Sequence, residues 1–104
     1  MSKEKEPPPT KEDTLKALQE EFRGNDATTQ RARLREAFHR CLALTTLEIR
    51  RWLDILHPAG RVKELRAEGL DIITLRQDQA TEAGVRHAVG KYVYRPRNAH
   101  GVES

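Results

Sequence analysis

Between residues 10 and 23, Leu15, Leu18 and Phe22 recur at intervals of three and four, the spacing that aligns one face of a helix. Thr10 stands where a side-chain cap would start that helix, and Gly24-Asn25 would end it. A second stripe of Leu34, Ala37, Phe38, Cys41 and Leu42 predicts a longer helix from Thr29 to about Leu42. Arg31, Arg33, Arg35 and Arg40 fall mostly off this stripe. They read as its solvated exterior, with phosphate contact as the functional alternative.

Thr45-Thr46-Leu47-Glu48 has the form of a capping box, in which the threonine hydroxyl and the glutamate carboxylate each satisfy an amide of the other's residue. The helix it opens carries Ile49, Trp52, Leu53 and Leu56 on one face, which makes Trp52 a core anchor. Pro58 then fits a first helical position and Gly69 a left-handed terminus, so a further helix is expected over residues 58–68. The turn before it is short, centred on Leu56-His57-Pro58. Branched aliphatics over residues 70–76, and Lys91-Tyr92-Val93-Tyr94-Arg95, predict two strands joined by a polar loop over residues 77–90.

The ends have a different character. Residues 1–9 alternate in charge and close on three prolines, which predicts a disordered tail, and residues 97–104 read as a flexible end. The net charge of +3 hides an asymmetry: residues 1–26 hold five Lys/Arg and seven Asp/Glu, whereas residues 27–104 hold fourteen and nine, a net of +5. A basic domain behind a near-neutral leader favours an anionic partner. The lone Cys41 excludes an internal disulfide, reads as a small buried apolar residue and suits a reducing cytoplasm. No apolar run is long enough to span a bilayer and no secretory signal is visible; a soluble, cytoplasmic chain without membrane partners is expected.

The stretches Thr45-Thr46-Leu47-Glu48-Ile49 and Gly60-Arg61-Val62-Lys63-Glu64-Leu65-Arg66-Ala67-Glu68-Gly69-Leu70-Asp71-Ile72 resemble those of a family of small bacterial and phage winged helix-turn-helix domains. Arg61, Val62, Leu65, Arg66, Gly69, Ile72 and Tyr94 fall on the family's pattern, and the likeness covers roughly residues 29–95. It implies an α+β fold: a three-helix winged helix-turn-helix with a C-terminal β-hairpin wing over residues 25–96, preceded by the amphipathic helix of residues 10–24. The longer wing and the added helix depart from the family's minimum. The resemblance also implies double-stranded DNA binding, sequence-specific or semi-specific, by a transcriptional regulator or an accessory protein of DNA transactions.

Helical geometry turns Val62 and Leu65 inward and leaves Gly60, Lys63, Glu64 and Ala67 outward, with Arg61 at the edge. This makes Ala59, Gly60, Arg61, Lys63 and Glu64 candidate DNA contacts: small residues for close approach, cations for guanine edges or phosphates, and a carboxylate for cytosine. Arg86 and Lys91 are the wing candidates, and Thr46 a phosphate contact at a helix start. Arg66 sits nearer the buried side and is expected to brace its helix instead.

No catalytic role is expected. His39, His57, His87 and His100 lack ligand spacing, no second thiol accompanies Cys41, and no Gly-rich phosphate loop occurs; no metal or cofactor is predicted. The competing role is a protein-interaction adaptor or homodimer meeting its partner through Leu15, Leu18 and Phe22. The helix assignment itself is testable. Leu65→Ala should destabilise the domain by about 2–4 kcal/mol through the cavity it leaves, whereas unchanged chemical unfolding would mean that the helix faces are assigned wrongly.

Overall fold

The computed structural model describes residues 8–80 and 82–96; the expectations for residues 1–7 and 97–104 lie outside the described residues. Two helices, α1 (Lys11–Glu21) and α2 (Ala27–Cys41), lead into a short strand β1 (Ala43–Thr45). After these come α3 (Thr46–Trp52), α4 (Pro58–Ala67) and the hairpin β2 (Ile72–Ala80) and β3 (Arg86–Tyr94). The strands form one antiparallel sheet in the order β1-β3-β2, an α+β arrangement.

Local chemistry sets most helix starts. Thr10 and Asp13 close a reciprocal capping box at α1, and Thr45 and Glu48 close the expected one at α3. Asp26, which the periodicity did not single out, caps α2 by accepting from the Thr29 amide at 3.1 Å and the Thr29 hydroxyl at 2.6 Å. Those bonds hold its pKa below the ordinary aspartate value. Pro58 opens α4, and Gly69 follows it at φ +108°, as read from the chain.

Three boundaries differ from expectation. β1 was not foreseen; its three residues are a strand only because Ala43, Leu44 and Thr45 pair with Val93, Tyr92 and Lys91. The third helix, α3, ends at Trp52 rather than near Leu56, because Asp54 adopts a positive φ of 56°. That reversal buries Ile55 and leaves Leu56 68% exposed. Finally, the polar loop expected over residues 77–90 is mostly strand, paired from Gln77↔Val89 to Ala80↔Arg86.

The core gathers Leu34, Ala37 and Phe38 of α2, Leu44 of β1, Ile49 of α3, Leu53 and Ile55 of the turn, Val62 and Leu65 of α4, and Ile72 and Tyr92 of the sheet. Trp52, Cys41 and Tyr94 pack at its edge, whereas Leu42, at φ 65°, is nearly half exposed. Leu15 and Leu18 of α1 are fully buried in this same core, and Phe22 packs against it. The surface expected for a dimer or adaptor partner is therefore used up inside the chain, because α1 closes the apolar gap over α2 and α3. Gln19 fastens it further by donating to the Trp52 carbonyl at 3.0 Å.

Arg33, read from the sequence as solvated, is instead 2% exposed. Its Nε donates to the Phe22 carbonyl at 3.0 Å, Nη1 to that of Leu53 at 2.8 Å and Nη2 to that of Gly24 at 2.7 Å. Burial lowers its pKa, opposed by the charges of Asp54 and Asp26. Because hydrogen bonds from a charged donor are strong and orphaned buried carbonyls are costly, Arg33→Met should lower stability by about 3 kcal/mol. Arg33→Lys should recover only part of the loss, and Arg40→Met on the exposed side of α2 should do far less. Equal denaturation midpoints for the Arg33 and Arg40 variants would refute this role.

Candidate nucleic-acid interface

The faces of α4 follow from its helical spacing. Pro58, Val62 and Leu65 are buried, so the opposite side of the helix carries Gly60, Lys63 and Ala67, with Ala59 beside them. Ala59, Lys63 and Ala67 are exposed, and a Cβ added at Gly60 would meet nothing within 4 Å. Lys63 makes no ion pair or hydrogen bond among the described residues.

Both flanks of α4 are tied down. On the α2 side, Arg31 lies 3.1 Å from Glu64 and 3.4 Å from Glu68, Arg35 pairs with Glu68, and Arg61 pairs with Glu64. Arg61 Nη2 donates to Glu64 Oε2 at 3.1 Å. Its buried Nε is also 3.1 Å from Oε1 but too poorly aligned for a hydrogen bond, so that contact is ionic only. These side chains are only 21–38% exposed, and each pair is worth roughly 0–1 kcal/mol; together they fix the rotation of α4 on α2. On the sheet side, Arg66 Nε donates to the Ile72 carbonyl at 2.7 Å and Nη2 to the Thr74 hydroxyl at 2.8 Å, the bracing role read from sequence.

The expected contact residues thus divide. Ala59, Gly60 and Lys63 share the open face, whereas Arg61 and Glu64 turn toward α2 and engage one another. Arg31, Arg35 and Arg40 are likewise engaged, the last with Glu21 and Glu36. Thr46 lies against β3, its methyl carbon 3.7 Å from where a Cβ on Gly90 would stand. The α3 start beside it is already satisfied by Glu48, which also pairs with Lys11 at 2.8 Å.

Strand alternation sorts the hairpin. Tyr92 points into the core, so its neighbour Lys91 faces the other side of the sheet. Thr74 pairs with Tyr92, Arg76 with Gly90 and Ala80 with Arg86, which puts Arg76 and Arg86 on the Tyr92 face of the sheet, the side against which α3 packs. Both are exposed and make no ion pair among the described residues. Arg76 was not among the expected contacts; the period-two series Ile72, Thr74, Arg76 places it on this face once the strand is carried past residue 76. At the tip, Glu82 pairs with Arg51 of α3. The two close a groove of about 360 Å³ with Leu47, Arg50, Trp52 and Ala80.

Helix, strand, helix, helix and a two-stranded wing, with the last helix exposing one open face, is the layout of a known domain type. Residues 29–95 match the winged helix-turn-helix domain family. The chain belongs to that family. Neither the curated proteins nor the solved structures contain a match. In winged helix-turn-helix terms, α2, α3 and α4 are the three helices, α4 being the third, and α1 precedes the family's segment. The domain type is one of DNA binding rather than catalysis. Among the described residues no helix is long and apolar enough to cross a membrane.

The open space at Gly60 separates folding from contact. Gly60→Ala should raise stability by about 0.4–1 kcal/mol by restricting the unfolded chain, while weakening any complex that needs the backbone of α4 close to its ligand. A variant both more stable and unchanged in duplex binding would remove Gly60 from the interface.

Proposed function

We propose that this protein binds double-stranded DNA in a sequence-specific or semi-specific manner, as a transcriptional regulator or an accessory factor of DNA transactions, like the small bacterial and phage domains it resembles. The observation that carries this reading is the open face of α4, with Lys63 unpaired among the described residues, together with a hairpin whose exposed Arg76 and Arg86 share one face. α4 enters the major groove with Ala59 and Gly60 nearest the bases. Arg86 and Arg76 meet phosphates or the flanking minor groove. Lys91, on the other side of the sheet, contributes at longer range, and Thr46, Arg61 and Glu64 position the reading helix. A cytoplasmic setting suits the free Cys41, whose thiol pKa burial pushes up, so that it is held as an unreactive thiol.

Binding of the full chain to duplex DNA should weaken linearly in log affinity against log salt. Arg76→Ala and Arg86→Ala should each reduce that slope by about one phosphate's worth, with folding intact. Arg61→Ala should cost stability first. Absence of duplex binding at about 50 mM salt, or amide shifts confined to α1, would reject the reading.

A further inference from the structure

Resting on the duplex-binding reading above, we propose that α4 discriminates base pairs chiefly by apolar contact with thymine methyl groups through Ala59 and Ala67, with Lys63 its only side chain free to donate to a guanine edge. A recognition helix usually reads bases with paired donors and acceptors such as Arg to guanine, Asn or Gln to adenine, and Glu to cytosine. Here those chemistries are missing from the open face or spent elsewhere. Arg61 and Glu64 neutralise one another, Arg31 holds Glu64 and Glu68, and Arg66 is bound to β2.

What remains along one side of the helix is Ala59 with Gly60, Lys63 and Ala67, the last three spaced three and four apart. The Ala59 methyl adjoins the bare backbone at Gly60, where nothing among the described residues comes within 4 Å of an added Cβ, and the Ala67 methyl lies about two turns farther along the same side. Such a surface comes close to the groove floor without offering hydrogen bonds. The feature of the major groove that rewards this is the thymine C5-methyl group, which gains by burial against another methyl. Lys63, a compact charge with three rotatable donors, tolerates several geometries at guanine O6 and N7. The resulting preference is for thymine steps beside a guanine.

The test uses the full chain. A preferred duplex is selected from random sequence, and each thymine in it is then replaced by uracil and each guanine by 7-deazaguanine. Uracil at one or more positions should weaken binding about fourfold, the burial of one methyl group. Ala67→Gly or Ala59→Gly should erase that penalty, and the 7-deazaguanine penalty should vanish in Lys63→Ala. The uracil series needs no protein variant, so it decides the matter even where a glycine substitution weakens the helix. Binding insensitive to uracil, selection without any preferred sequence, or relaxed preference at cytosine in Glu64→Gln would overturn the thymine proposal while leaving duplex binding standing. No binding to any duplex at low salt would instead reject the duplex-binding reading beneath it.

Discussion

The Arg33 guanidinium, shut off from water, bonds to carbonyls just beyond the end of α1 and the end of α3. Helix C-termini present unpaired carbonyls and partial negative charge. One planar cation with five donors answers two such ends at once. Its place in mid-α2 makes three helices meet at one point, and the course of the chain after α3, hence the angle at which α4 leaves, is set from there. The cost of burying the charge is met by the number of acceptors rather than by a carboxylate partner. Loss of any acceptor segment would strand the charge, so α1 belongs to the same folding unit as α2–β3.

A second constraint divides the remaining charges. The seam of Arg31, Arg35 and Arg61 with Glu64 and Glu68 lies between α2 and α4, and partly exposed pairs of this type are only partly weakened by salt. Cations that a linear inspection counts as available to an anionic partner are thus internal to the fold. Among the described residues, Lys63 on the open face of α4 and Arg76 and Arg86 on one face of the hairpin stay outside ion pairs.

Much of this architecture was legible because it is local. Capping boxes, Pro58 and Gly69 act within four residues, and the apolar stripes of α1, α2 and α4 follow one period. What escaped reading is non-local. Ala43–Thr45 becomes a strand only against β3, and nothing near Arg33 in sequence distinguishes it from Arg35 or Arg40, since its acceptors lie 9–20 residues away. The outer hairpin extends past the core, so Gln77 and Asp78 carry no apolar alternation to mark them as strand. On α4, helical geometry alone placed Gly60, Lys63 and Ala67 on the outer face, whereas Glu64 was drawn aside by Arg31 of α2, a partner that spacing does not reveal.

The division of α4 into tied flanks and an open face has a consequence for how the chain tolerates change. Pro58, Val62 and Leu65 hold the helix to the core, and Arg61, Glu64, Arg66 and Glu68 fix its rotation. Positions 59, 60, 63 and 67 do neither. A library varied at these four positions would sample new surface chemistries on an unaltered scaffold, so that whatever this face recognises is free to diverge without the fold having to be re-solved each time.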